Sequence, residues 1–220
     1  MDYRNFFTGR PTSEICRDLI GRPTSEICRD LIGRPFYYQA GGKKIGGYIV
    51  EAEAYLGIYD RAAHSYGGRR SQANEGLWRA GGTIYIYSQR QYVFFDIACQ
   101  KEGNPQGVLI RAIEPVWGLD QMLKNRGGKD GVLLTNGPAK LMQAMGIKSR
   151  NWDLAPLADS PFVIDLTEKK LAKEIIASPR IGIVQADPAW AQAPLRYYVA
   201  GNPYVSGMKK RDWADDHGWM

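Results

Sequence analysis

Between Ile49 and Tyr55 apolar and polar residues alternate without a break, with Val50, Ala52 and Ala54 on one side and Glu51, Glu53 and Tyr55 on the other. A period of two is the mark of a half-buried strand, so the chain must build a sheet with two carboxylates and a phenol on one face. Carboxylates are usually exposed, and a solvated strand face is the plain alternative. Against it, glutamate is a poor strand former. In addition, Leu56-Gly57 ends the strand beside a loop that holds His64, one of two histidines in the chain. Tyr66-Gly67-Gly68-Arg69-Arg70 follows. Its glycines let backbone approach a ligand closely, and its arginines suit phosphate, although an ordinary basic turn would look the same. A second short strand, Thr83 to Tyr87, puts Thr83, Tyr85 and Tyr87 on one face, where tyrosines usually join a core.

The segments Glu51 to Gly57, Ala62 to Ser65, Gly67 to Arg70, Gly82 to Tyr87 and Val108 to Pro115 occur in the order seen in alkyladenine (3-methyladenine) DNA glycosylases. Asn136 to Leu141 and Pro194 to Pro203 extend the likeness, which runs from about Phe6 to Ser206. The chain resembles that family, and several blocks in one order make chance similarity remote. The resemblance implies a monofunctional enzyme of base-excision repair, with no cofactor, that opens the N-glycosidic bond of alkylated or deaminated purines such as 3-methyladenine, hypoxanthine or ethenoadenine. Glu53 matches the base that activates water, and Arg111 matches its companion. Tyr55, His64 and Tyr87 match the walls around a flipped base. Acid–base help of this kind is worth about 10²–10⁴-fold, and a buried base must leave the stack to be reached. Two departures stand out. The segment after Tyr87 is one residue shorter than the usual pattern, leaving Arg90, Gln91 or Tyr92 as the side chain that wedges into DNA. Asp96 stands where some members place asparagine, which alters the exocyclic groups a pocket tolerates. Arg69 and Arg70, with Arg90 and Tyr92, are the expected DNA contacts.

Bulk properties agree. A chain of 220 residues suits one domain, and a net charge of +6 with a pI near 9.2 favours a polyanionic partner. No apolar run is long enough to span a membrane, the start lacks a signal peptide's apolar stretch, and cysteine is sparse. Together with the resemblance, which implies damaged double-stranded DNA as the partner, these features lead us to expect a monomer in the cytoplasm or nucleus, not secreted. Three cysteines without a paired-ligand spacing, and no second histidine near His64, give no metal site. Two rival readings remain. A carbohydrate hydrolase would use Glu51 and Glu53 as its pair of acids and needs tryptophan platforms. A non-catalytic nucleic-acid-binding module would need only the basic, aromatic surface.

Gly9 to Ile20 recurs letter for letter as Gly21 to Ile32, giving a tandem duplication over 9–32. Each copy offers a Thr or Ser to cap a helix and an apolar stripe, Ile15, Leu19 and Ile20 or Ile27, Leu31 and Ile32. Gly21 and Pro23 prevent one continuous helix, so two short helices are expected, only one of them seated in the core. Strands are predicted near Tyr37–Gln39, Tyr48–Tyr55, Thr83–Tyr87, Tyr92–Cys99, Val108–Pro115 and Leu195–Val199. Helices are predicted near Trp117–Arg126, Pro138–Met145 and Lys169–Ile176. Runs of strands, not strict strand–helix–strand units, predict an α+β fold: a single mixed domain with a curved, mainly antiparallel sheet flanked by helices. The polar stretch 208–220 is expected to fray, with Lys209, Lys210 and Arg211 solvated.

Overall fold

The computed structural model describes residues 3–8, 22–183 and 187–220. The first repeat copy, with its expected helix at Ile15–Ile20, lies outside them. The second copy forms helix α2 (Thr24–Leu31), after the short α1 (Tyr3–Thr8). Ile27, Cys28, Leu31 and Ile32 are buried, as the stripe predicts. The expected hydroxyl cap does not form: Pro23 is the cap residue, and Thr24 Oγ1 instead donates to Gln106 Oε1 at 2.7 Å and accepts from Gln100 Nε2 at 3.0 Å. That hydroxyl is worth more tying the helix to the sheet's end, because Thr24 is buried and its oxygen needs partners there.

The alternating segment is the second half of a long strand on which the sheet is built. Strands β1 (Pro35–Ala40) and β2 (Lys43–Tyr55) form a hairpin. A second hairpin joins β3 (Ile84–Gln89) to β4 (Tyr92–Ala98), and β5 (Gly107–Trp117) lies between β4 and β2. Three shorter strands, β6 (Phe162–Ile164), β7 (Ile175–Ser178) and β8 (Arg196–Val199), complete one sheet in the order β3-β4-β5-β2-β1-β6, with β8 pairing β2 and β7 pairing β8. Every pairing is antiparallel, and the sheet curls into a half-barrel. Close strand approach supports the curl: a Cβ at Gly47 would lie 1.9 Å from the Glu114 carbonyl oxygen. The strand order leaves β2 with three partners. One edge meets β5, and the other meets β1 along its first half and β8 at Glu51–Glu53. Both edges of β2 are therefore paired at Glu51 and Glu53, and neither side chain has exposed surface, which overturns the solvated-face alternative.

Around the sheet lie α3 (Glu75–Trp78), α4 (Leu119–Asn125), α5 (Pro138–Ala144) and α6 (Pro188–Gln192). Met122 and Met145 are core residues. The expectation of a helix at Lys169–Ile176 is wrong. The Lys170 N–H bonds to Gly33 O and the Lys173 N–H to Gly218 O, so the backbone is spent on other segments. Ile175 and Ile176 then pair with Val199 and Tyr198, where β-branched side chains fit well. The end of the chain does not fray either. Trp219 is buried, its indole N–H donates to Glu114 Oε2 at 2.6 Å, and Met220 N–H bonds to Leu171 O. One buried tryptophan outweighs the polarity of its neighbours. No helix among the described residues is long and apolar enough to cross a membrane.

Candidate active site

Glu51 and Glu53 have no exposed surface. Two carboxylates so placed are tolerable only if every oxygen is bonded and the charge is matched. Arg111 does much of this: its Nε donates to Glu51 Oε1 at 3.0 Å, and its Nη1 lies 3.2 Å from Glu53 Oε1. It is placed for this by a slip in the β2–β5 ladder, where Glu51 pairs with Ala112 and Ala52 with Ile110, leaving Arg111 unmatched between them. Burial works against charge on Arg111, but Glu53 and Glu51 outweigh it and raise its pKa. Arg196 Nη1 at 2.9 Å and the Ser206 N–H at 2.9 Å complete the bonding of Glu51. Two guanidiniums thus balance two carboxylates.

The two acids have different surroundings. Glu51 is enclosed by Arg111, Arg196 and Ser206, and reads as structural. Glu53 accepts the Tyr55 phenol on Oε2 at 2.9 Å and the Ile181 N–H on Oε1 at 2.7 Å. Tyr55, Arg111 and Ile181 all line a cavity of about 400 Å³, and Glu53 sits one layer behind them. That volume lies within the range of small-ligand pockets, about 300–1,000 Å³. Burial, then the charge of Glu53, pushes the Tyr55 pKa well up, so the phenol keeps its proton and acts as donor.

The cavity wall is aromatic. Tyr87 stacks on Phe94 (5.1 Å, 11°) and on Tyr85 (5.3 Å, 25°), and His64 meets Tyr87 edge-on at 4.7 Å. His64 Nδ1 lies 2.8 Å from the Tyr85 hydroxyl. Crowding by protein, followed by the positive Arg69, lowers the His64 pKa, while burial raises that of Tyr85. A neutral imidazole against a protonated phenol fits the phenol donating to Nδ1, which leaves the ring proton on Nε2. Asp96 also lines the cavity. It is buried, and its Oδ1 has no hydrogen-bond partner among the described residues. Gly107 makes room for it, since a Cβ there would stand 2.3 Å from that oxygen. Burial pushes the Asp96 pKa well up, the Ile97 backbone N–H pulls against this, and the charge of Glu53 adds to the rise. The side chain is therefore pushed toward its neutral acid form.

The structure brings Glu53, Arg111, Tyr55, His64, Tyr87 and Asp96 to one cavity. The arginines and the hairpin lie at its margins. Arg69 lines a smaller depression shared with His64 and Tyr87. Arg70 is held by Glu75 at 2.8 and 2.9 Å and lies over the Trp78 ring, so it is less free than the sequence suggests. Arg90 and Gln91 form the exposed two-residue tip of the β3–β4 hairpin, with Arg90 at φ 56°. Tyr92 is half-buried and accepts a bond from Gln91 at 2.9 Å. Sequence reasoning assigned Tyr85 to the core and missed Phe94, Ile181 and Pro138 of the lining. It also missed Arg180, whose Nη1 donates to Ala54 O at 3.0 Å and whose guanidinium lies 4.6 Å over the Tyr55 ring. Tyr85 shares a strand face with Tyr87 and was open to discovery. Nothing local marks Arg180 or Ile181. Among the described residues no tryptophan lines the cavity, and no cluster of three His, Cys, Asp or Glu could hold a metal ion.

The model of the methylpurine-DNA glycosylase family matches residues 7–203. A protein of Lactobacillus delbrueckii subsp. bulgaricus, provisionally named a 3-methyladenine DNA glycosylase, is 92% identical over the whole of both chains. Relatives of the same provisional name from Lactobacillus helveticus and Latilactobacillus sakei are 65% and 50% identical, the first over both full chains and the second over 98% of this chain and 95% of its own.

Proposed function

The chain belongs to the methylpurine-DNA glycosylase family, which makes it a DNA N-glycosylase of the 3-methyladenine type with DNA as its substrate, and we propose that Glu53 activates the water that cuts the glycosidic bond of a purine swung out of the duplex into the aromatic cavity. In this reading water attacks the anomeric carbon as the carbon–nitrogen bond breaks. The base leaves with the bonding electrons, and Glu53 takes the proton of the water. An abasic site remains in an uncut strand. Arg111 holds the carboxylate and helps place the water, and Tyr55 fixes its other oxygen. The proposed substrates are alkylated or deaminated purines of the 3-methyladenine, hypoxanthine or ethenoadenine type. Cationic alkylated bases gain a further ~0.5–2 kcal/mol from an aromatic ring. The protein is proposed to act as a monomer in the compartment that holds the DNA, since one chain supplies the whole cavity. The hairpin tip, Arg90 and Gln91, is the proposed wedge, because both are exposed while Tyr92 is half-buried.

The observation that carries this reading is the placement of Glu53 at the back of an aromatic cavity, bonded by three residues that line it. The glycoside-hydrolase alternative loses its second acid, because Glu51 is taken up by two arginines and a backbone N–H. The test is to incubate duplexes carrying hypoxanthine or ethenoadenine with the protein and with Glu53→Gln, and to count abasic sites. The variant is expected to bind the duplex normally and to lose about 10²-fold or more of the excision rate. Equal excision by both proteins removes Glu53 as the base. Binding without release by the native chain favours a non-catalytic module. Borohydride trapping of a covalent adduct would contradict the uncut strand.

A further inference from the structure

Among the described residues the buried carboxyl groups are those of Glu51, Glu53, Asp60 and Asp96, and Asp96 alone forms no ion pair. Its place is set by the sheet. Asp96 on β4 and Glu53 on β2 are both registered opposite Leu109 on β5. Residues opposite one another on neighbouring strands share a face, so Glu53, Leu109 and Asp96 make one row across three strands. Leu109 and Asp96 line the main cavity, with Glu53 behind its lining. Two strand spacings, roughly 10 Å, separate the acids along this row. The Glu53 carboxyl is bonded through both oxygens, whereas Asp96 Oδ1 has no partner. No cation offsets Asp96 either. Arg111 shares its cavity but is engaged by both glutamates, and His64 on the cavity wall is held toward its neutral form. The other ionisable groups packed around it are the phenols of Tyr85 and Tyr87 on β3 and the buried thiols of Cys28 and Cys99, which bring no positive charge.

We propose that Asp96 is the general acid of the reaction, giving a proton to a ring nitrogen of the departing purine while Glu53 takes one from water. The inference rests on the reading of Glu53 as the base and deepens it. Hydrolysis with one carboxyl on the water and another on the leaving group needs room between them, about 6.5–9.5 Å, and the row across β2, β5 and β4 supplies a separation of that order. The water oxygen bonds to the anomeric carbon as the carbon–nitrogen bond breaks. The electron pair of that bond passes into the purine, and the Asp96 proton ends on N3 or N7, so the base departs neutral. Glu53 is then protonated and Asp96 ionised, and proton exchange with solvent restores both. Burial without a counter-charge keeps the proton on Asp96 until the leaving base develops negative charge. The phenols around it hold their protons too tightly to serve, since burial raises both Tyr85 and Tyr87. A base that is already cationic, such as 3-methyladenine, departs neutral without this proton. Asp96 thus extends the reaction to uncharged purines.

The test compares single-turnover release of hypoxanthine and of 3-methyladenine from duplex DNA, at saturating protein, by the native chain and by Asp96→Asn. Asparagine keeps the shape and an N–H donor but has no proton to give. Hypoxanthine release is expected to fall about 10²-fold or more, and 3-methyladenine release to fall at least about tenfold less. A second readout needs no variant. Asp96 is protonated below its folded pKa, so native release of hypoxanthine should decline as pH rises through that value, and release of 3-methyladenine should lack this alkaline limb. Equal losses for the two bases, hypoxanthine release retained by the variant, or the same alkaline limb for both overturns the acid. Native release of 3-methyladenine alone overturns it as well. If the native chain releases neither base, the reading of Glu53 fails and this one with it; if it releases both and only the contrast is missing, this one fails alone.

Discussion

Arg180 and Asp60, 120 residues apart in the chain, form a doubly bonded ion pair with no exposed surface, Nη1 to Oδ2 at 2.6 Å and Nη2 to Oδ1 at 2.9 Å. Asp60 also accepts the backbone N–H groups of Leu56 and Ala62, in the loop that leads to His64. Arg180 is the residue before Ile181, whose N–H meets Glu53. One pair thus fixes both the loop and the segment that close on the candidate base. Removing one member of such a pair strands the other in the interior. Asp60→Ala is expected to cost about 3–5 kcal/mol in chemical denaturation. A replacement of both members, Asp60→Leu with Arg180→Met, should cost less than either single change. A single variant within 1 kcal/mol of native would show the pair to be dispensable.

Tyr55→Phe keeps the ring and deletes the proton that holds Glu53 Oε2. Hydrogen bonds to charged groups are worth about 1.5–3 kcal/mol, so single-turnover excision should fall about tenfold or more while duplex affinity stays within about twofold. Native excision by the phenylalanine variant would mean that the phenol does not position the acid.

Asp96 offers a stability test whose sign follows from its surroundings. Its folded pKa is raised by burial, so its contribution is fully present below the unfolded carboxylate value of about 3.9 and is lost as pH climbs through the folded value. Asp96→Asn, neutral at every pH, should therefore melt higher than the native chain at pH 8, by about 2 °C or more, with the gap closing toward pH 4. A gap that does not depend on pH would mean the carboxyl titrates normally. The same substitution should change the ratio of excision rates between hypoxanthine and 3-methyladenine, because it alters a hydrogen-bonding group on the cavity wall.

His64 has the opposite sense. Its folded pKa lies below the ordinary imidazole value of about 6.5, through crowding and the charge of Arg69. Protonation is therefore disfavoured in the folded protein, and stability declines as pH falls from that value through the folded one. A protonated ring also repels a cationic base. The rate ratio for 7-methylguanine over hypoxanthine should drop as pH falls below the ordinary imidazole value, and His64→Asn should remove most of that dependence. Taking a ratio cancels any pH effect that both substrates share.

Much of this was written locally. Alternation placed Glu51, Glu53 and Tyr55 on β2, and the ordered blocks pointed to His64, Tyr87 and Arg111. What the sequence hid was long-range. A period of two cannot say that β8 covers the edge of β2 at Glu51–Glu53, and so cannot tell a solvated carboxylate pair from a buried one. It cannot separate Glu51 from Glu53 either, since the difference lies in Arg196 and Ser206 against Tyr55 and Ile181. The helix expected at Lys169–Ile176 failed for a related reason: strand partners and backbone bonds to Gly33 and Gly218 claim that segment.

The seat of α2 raises a question of degeneracy. Two stretches with identical letters offer identical side chains to the same pocket of the core, so no contact there can favour one over the other. What distinguishes them is where the spare residues fall: seating Thr24–Leu31 leaves 9–23 between α1 and the helix and 32–34 before β1, whereas seating its twin leaves 9–11 and 20–34. Closing a longer tether costs roughly 0.6 kcal/mol for each doubling of its length. Each seating therefore has one short tether and one long one, polymer entropy does not choose between them, and excising either stretch would leave one and the same chain.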